Sequence, residues 1–207
     1  MLEARKVTFH YPACAKPVLT DIHISINSGD IVGVYGPSGS GKTTLARLLS
    51  GYLIPDTGKV MVDGVELPQR GRLPVQLLNQ HPELSVNPRW MVGEILAEEA
   101  MPGRELLASL RINKDWLKRY PHELSGGEIQ RVTIARALGT ETRYIIADEI
   151  TTMLDAITQV QIWQVLLEAA RNRNIGILVI SHDHQLLNRV CNTVLQLSGQ
   201  SGGLKAA

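Results

Sequence analysis

Gly36-Pro37-Ser38-Gly39-Ser40-Gly41-Lys42-Thr43-Thr44 fits the pattern G-x-x-x-x-G-K-[ST], and it follows the apolar run Ile31-Val32-Gly33-Val34-Tyr35, which reads as a buried strand. Leu45, Leu48 and Leu49 then recur at helical spacing, so the loop joins a strand to a helix. The residue types follow from the chemistry of a phosphate. Glycines let backbone N–H groups curl around phosphate oxygens, and a helix opening near Lys42 turns the positive end of its dipole to the same anion. Lys42 supplies a cation for the β- and γ-phosphates, Thr43 a hydroxyl for Mg²⁺, and Thr44 is expected near the α-phosphate. The stretch predicts a site for a nucleoside triphosphate, but not what the energy is used for.

A second motif bears on that. Leu124-Ser125-Gly126-Gly127-Glu128-Ile129-Gln130-Arg131 precedes the helical-looking segment Val132-Thr133-Ile134-Ala135-Arg136-Ala137-Leu138, so its small residues stand at a helix N-terminus, where another anion can be accepted. One chain rarely needs two phosphate cradles for one nucleotide. Here the sequence resembles the ATP-binding-cassette (ABC) family, whose signature is LSGGQ with variation at the last position, taken in this chain by Glu128. The resemblance implies that the signature loop of one subunit, here Ser125, Gly126, Gly127 and Glu128, closes over ATP held by the phosphate loop (P-loop) of a second. Ser125 and Gly127 are then expected at the γ-phosphate in trans.

The other motifs of the family follow in order over nearly the whole chain. Tyr144-Ile145-Ile146-Ala147-Asp148-Glu149 is an apolar strand ending in two carboxylates. Asp148 is expected to hold Mg²⁺, and Glu149 to orient or deprotonate the attacking water. By resemblance, Gln80 is the Q-loop glutamine, near Mg²⁺ or the lytic water. His182, after the strand-like Ile177-Leu178-Val179-Ile180, is the switch histidine that reaches the γ-phosphate. Asp155, in Thr152-Met153-Leu154-Asp155, is a D-loop residue at the subunit interface. Tyr11 occupies the place of a ring that stacks on adenine, with an edge-strand tyrosine as the competing reading. His182-Asp183-His184 also has the residue types of a metal site, but no further ligand set at convincing spacing accompanies it.

Composition sets limits. A chain of 207 residues can bury one sizeable core, and a net charge of +1 without a long basic run leaves little electrostatic case for nucleic acid. No apolar run is long enough to span a bilayer and no charged-then-apolar leader follows Met1, so a soluble, cytoplasmic chain is expected, held at a membrane only through a partner. Cys14 and Cys191 form no C-x-x-C pair, and reduced thiols are the default.

Val60 and Val62 alternate with polar positions before the turn signal Asp63-Gly64, which predicts a hairpin. From Met91 to Tyr120, short amphipathic helices broken near Pro102-Gly103 are expected. The resemblance implies a single α/β domain: a RecA-like P-loop core over about 1–85 and 125–198 with N-terminal antiparallel strands, a helical subdomain inserted over about 86–124, and a tail, 199–207, whose composition reads as flexible. The groove between subdomain and Q-loop, around His81 to Trp90, is expected to receive a permease subunit.

Ile146 to Asp155, with Thr158, Gln159 and Gln161 close behind, resembles the peptide and nickel importers, whose corresponding stretch usually reads IADEPTTALD. Ser85-Val86-Asn87-Pro88-Arg89 resembles their SLNPR segment. Ile150 departs from the pattern, standing where that group has proline. The resemblance thus implies an ATP- and Mg²⁺-dependent ATPase at the cytoplasmic face of the membrane. Its partners would be a second, identical or related ATPase subunit, permease subunits and, indirectly, an extracytoplasmic substrate-binding protein. The alternative is a soluble ABC ATPase serving a cytoplasmic enzyme complex, as in carbon–phosphorus lyase systems.

Overall fold

The computed structural model describes residues 1–12, 16–68, 71, 73–98, 100–152, 154–198 and 204–206. Its strands form two sheets. The first is antiparallel, in the order β2-β1-β4-β5, from β1 (Leu2–Phe9), β2 (Leu19–Ile26), β4 (Thr57–Val62) and β5 (Val65–Glu66). Asp63 and Gly64 join the last two, both at positive φ (52° and 79°), as a type I′ turn requires. The second sheet runs β10-β9-β3-β8-β7-β6, built from β3 (Ile31–Tyr35), β6 (Val75–Leu78), β7 (Tyr144–Asp148), β8 (Gly176–Ile180), β9 (Thr193–Leu197) and β10 (Leu204–Ala206). All its pairings are parallel except β9 with β10.

The parallel strands are apolar along their length because both faces are covered. On β7 and β8, Ile145, Ala147, Ile177 and Val179 face a core shared with the helices, whereas Tyr144, Ile146, Leu178 and Ile180 face a core shared with the antiparallel sheet. Each of these residues is at most 1% exposed, and fully burying one such aliphatic side chain contributes about 1.5–3 kcal/mol. The helix α1 (Lys42–Leu49) places Leu45, Leu48 and Leu49 in the second core, as their spacing predicts. The stretch between β6 and the signature holds α2 (Val92–Leu96) and α3 (Arg104–Ser109), with the break between them at Pro102-Gly103, and three single turns of 3₁₀ helix. Then come α4 (Gly126–Ala137), α5 (Ala156–Arg173) and α6 (His184–Val190). Among the described residues, no helix is long and apolar enough to cross a membrane.

The tail corrects one expectation. Leu204, Lys205 and Ala206 pair with Leu197, Gln196 and Leu195 as an antiparallel strand on the outer edge of β9. Polar composition argued for a loose end, but an unpaired strand edge offers a row of N–H and C=O groups that recruits the chain. Residues 199–203 and 207, also in that tail, lie outside the described residues, as do Cys14 and Met153.

Candidate active site

The carboxyl ends of β3, β6, β7 and β8 lie side by side, because register aligns Val34 with Ile180, Ile180 with Asp148, and Ala147 with Leu78. The loops leaving those four strands are gathered along one crevice, the usual ligand position of an open α/β sheet. These loops carry Gly36 to Thr44, Gln80, Glu149 and His182.

The loop after β3 is shaped for an anion. Gly41, the N-cap of α1, lies at φ 97° and offers no side-chain acceptor, so the first N–H groups of the helix are left to other partners. At Gly36 a Cβ would stand 2.5 Å from the Leu197 carbonyl oxygen and 2.8 Å from Ser40 Oγ, so no side chain fits. At Gly39 it would meet nothing within 4 Å, which leaves the loop open between Pro37, Ser38 and Lys42. Ser40 Oγ is buried without a hydrogen-bond partner among the described residues, a cost that a bound phosphate oxygen or water relieves. Lys42 Nζ folds back on its own loop and donates to the carbonyls of Gly36 (2.9 Å) and Pro37 (3.0 Å). This orphan hydroxyl, tethered ammonium and open cradle fit a polyphosphate.

Asp148 ends β7 and is 5% exposed. Burial pushes its pKa up and the Glu149 charge adds to that, against a hydrogen bond from Thr43 and the charges of Lys42 and Arg47. A hydroxyl and a buried carboxylate held together suit a hard divalent cation. Glu149 takes left-handed backbone, φ 52°, and donates its N–H to the Ile180 carbonyl at 3.0 Å. Ser181 N–H donates in turn to the Val34 carbonyl (3.2 Å), tying the ends of β3, β8 and β7 together. Left-handed geometry costs a non-glycine residue about 1–2 kcal/mol and is retained where surrounding structure fixes it. The result is a carboxylate only 3.4 Å from His182 Nδ1. Thr44 is buried, and its hydroxyl lies 3.3 Å from Tyr11 Oη, whose ring also packs edge-on against Phe9 at 5.0 Å. Gln80 is partly buried two residues beyond β6, in a loop braced by Asn79 Nδ2 donating to Ser85 Oγ at 2.8 Å.

A second group is assembled separately. Ser125 caps α4 in a reciprocal box: Glu128 N–H donates to Ser125 Oγ (3.3 Å) and Ser125 N–H to Glu128 Oε2 (2.8 Å). Ser125 Oγ accepts here, so its own proton stays free for an incoming anion. Asp155 caps α5, accepting from the N–H groups of Ile157 and Thr158 (3.0 Å each) and from Thr158 Oγ1 (2.7 Å), and these bonds hold its carboxyl below the usual range. Ser125, Gly127, Glu128, Arg131, Leu154, Asp155 and Thr158 line a cavity of about 260 Å³. Among the described residues, no hydrogen bond joins this group to the P-loop group.

The family model described as ABC transporter matches residues 19–152. The chain belongs to the ABC transporter family. As an ATP-binding cassette it is an ATPase. It is 33% identical over 218 residues to a protein of Brucella ovis provisionally named a peptide import ATP-binding protein, covering 95% of this chain and 69% of that one. It is 35% identical over 211 residues to the nickel import system ATP-binding protein NikE of Staphylococcus aureus, covering 95% and 86%. Among solved structures, the dimeric post-hydrolysis state of the ATP-binding cassette MJ0796 bound to ADP and Pi superposes with a TM-score of 0.83 at 25% identity, covering 100% of this chain and 98% of that one.

Two features of the cassette are not foreseen from sequence. The signature motif gives Arg131 no role of its own, yet it lines the cavity beside Asp155. Its signal was available as a cation three residues after Glu128, hence on the same helix face. His184 stacks edge-on against Tyr35 at 4.2 Å. Among the described residues, no group of three or more metal-ligating side chains gathers, at His182-Asp183-His184 or elsewhere. A larger cavity of about 1130 Å³ lies against the antiparallel sheet, lined by Arg5, Lys6, His23 and Lys59 among others. It contains none of the predicted site residues.

Proposed function

We propose that this cassette powers a membrane importer for peptides, nickel or a nickel chelate, by closing with a second ABC ATPase subunit over ATP and reopening after hydrolysis. The observation that carries the reading is the convergence of Lys42, Thr43, Asp148, Glu149 and His182 at one sheet end, with Glu149 Oε1 only 3.4 Å from His182 Nδ1. The names of the Brucella and Staphylococcus relatives support the importer class.

In this reading Lys42 exchanges the carbonyls of Gly36 and Pro37 for the β- and γ-phosphates, joining the N–H groups that open α1. Thr43, Asp148 and Gln80 would hold Mg²⁺, which neutralises charge on the same phosphates. Tyr11 stacks on the adenine ring. Glu149 orients the attacking water and accepts its proton, while His182 steadies that carboxylate and reaches the γ-phosphate. Ser125 and Gly127 of the opposing cassette close the site with the unused Ser125 O–H, beside Asp155 at the interface. ATP favours the closed pair because these contacts exist only there, and loss of the γ-phosphate removes the bias.

Residues 86–124 are the helical subdomain that docks the permease and so brings the cassette to the cytoplasmic face of the membrane. Leu84 is 80% exposed next to a cavity of about 510 Å³ lined by Tyr52, Leu73, Gln76, Ser85, Glu98 and Arg136. Exposed apolar side chains beside a groove are the usual mark of a docking surface.

Glu149→Gln tests the mechanism. The variant should bind ATP normally, lose about 10²–10³-fold in turnover and accumulate as an ATP-bound dimer on size-exclusion chromatography. Wild-type turnover would remove Glu149 from the chemistry. Purification of the tagged chain from native membranes tests the importer reading, and a soluble complex without any permease would overturn it.

A further inference from the structure

Arg131 lies on α4, one turn from the signature loop, and its guanidinium reaches two other segments. Nη1 donates to the Leu110 carbonyl at 3.1 Å, and Nη2 donates to Gln161 Oε1 at 3.1 Å and Thr158 Oγ1 at 3.5 Å. Leu110 is the C-cap of α3, so its carbonyl is one that a helix end leaves without an internal partner. Thr158 and Gln161 stand in the first two turns of α5, and Thr158 Oγ1 donates onward to Asp155 Oδ2 at 2.7 Å. One planar fork thus links the end of α3, the start of α4 and the D-loop carboxylate. The other ends of the same helix pair are joined similarly: Arg173, in the last turn of α5, donates to the Leu138 carbonyl at 2.7 Å and to that of Gly139. With an arginine at each end, α4 and α5 have little freedom to move apart.

We infer that Arg131 is a positioning residue that locks the signature loop and the D-loop into one rigid element, so that Ser125 and Asp155 meet the opposing nucleotide together. The inference rests on the reading that two cassettes close over ATP. Burial depresses the guanidinium pKa, opposed by Asp155 and Glu128, but at physiological pH the group stays charged. Lysine cannot replace it, since a single ammonium cannot reach all three acceptors, on the end of α3 and on α5, in the planar geometry of the fork. Sequence alone does not disclose this arrangement, because Arg131 is 21 residues from Leu110 and 30 from Gln161, and only packing brings them together.

Two variants test it by opposite routes: Arg131→Lys keeps the charge and loses the fork, while Gln161→Met keeps the arginine and the Thr158–Asp155 bond and removes the closer acceptor on α5. Amide hydrogen exchange on the nucleotide-free chain should accelerate about tenfold at Ile157 and Thr158 in both, and stay at the wild-type rate in α1. In the assembled complex, kcat should fall about tenfold in each with KM for ATP changed less than about twofold, and combining the two should cost no more than either alone. Wild-type exchange at Ile157 and Thr158, an additive combination, or full turnover in the Gln161→Met variant would overturn the inference. Failure of the two-cassette reading looks different: wild-type turnover independent of protein concentration and no ATP-dependent dimer with Glu149→Gln, while the exchange rates still judge Arg131.

Discussion

Asp148 is a charge in a place poorly suited to hold one. It ends a strand whose five residues are all buried, its pKa is pushed up by that burial, and its protein partner is the hydroxyl of Thr43. Asn at this position keeps a hydrogen-bonding side chain of the same shape without the desolvated charge. Asp148→Asn should therefore stabilise the nucleotide-free cassette by about 1 kcal/mol, or about 2–4 °C in melting temperature for a chain of this size. The same variant should lose the further rise that Mg·ATP gives the wild type, as differential scanning fluorimetry with and without nucleotide will read. The candidate residues at this scale were legible because P-loop, carboxylate pair and signature are local patterns whose residue types follow from phosphate chemistry. Conformation was not legible: nothing in the order Asp148-Glu149-Ile150 announces that Glu149 is left-handed. Nor does it announce that Ile150 is 4% exposed and packs into the helix-side core.

Among the elements, α5 shows how a cap sets a pH response. Asp155 accepts two backbone N–H groups and one hydroxyl, all favouring its charged form, so its native pKa lies below the unfolded value. A depressed carboxylate contributes stability that is present above the unfolded pKa of about 3.9 and is lost as pH falls through the native value. Thermal melts of wild type and Asp155→Ala should differ by a constant margin above about pH 5 and converge in stronger acid. A margin that persisted unchanged to about pH 2 would mean that the charge of the cap does not matter. Element types were readable where periodicity is strong, as in α1, or where a short apolar run is uninterrupted, as in β3, β7 and β8. β10 was not, since three residues in a polar tail acquire a strand only from the edge they meet.

At the scale of the molecule, β7 and β8 serve two cores at once, with successive side chains alternating between them. Neither core survives loss of the shared sheet, so unfolding should be a single cooperative event. All three tryptophans, Trp90, Trp116 and Trp163, lie outside the antiparallel sheet, and Trp163 belongs to the helix-side core. Tryptophan fluorescence and far-ultraviolet circular dichroism should therefore report the same urea midpoint, and separated midpoints would show that the two cores fold independently. The order of motifs foretold the family and the two-sided sheet. The resemblance also implied a signature that acts in trans, but the contacts between α4 and α5 that hold Ser125 beside Asp155 were not legible in any local pattern.

The first glycine of the P-loop has one more implication. Gly36 is so close to the Leu197 carbonyl that a methyl group there would overlap it, and Leu197 is itself clasped by Leu204 on the outermost strand. The loop proposed to hold ATP is thereby in contact with the strand that borders the rim of the sheet. A label, fusion or crosslink attached beyond β9 therefore sits one strand away from that loop, and probes meant to leave it undisturbed belong elsewhere on the chain.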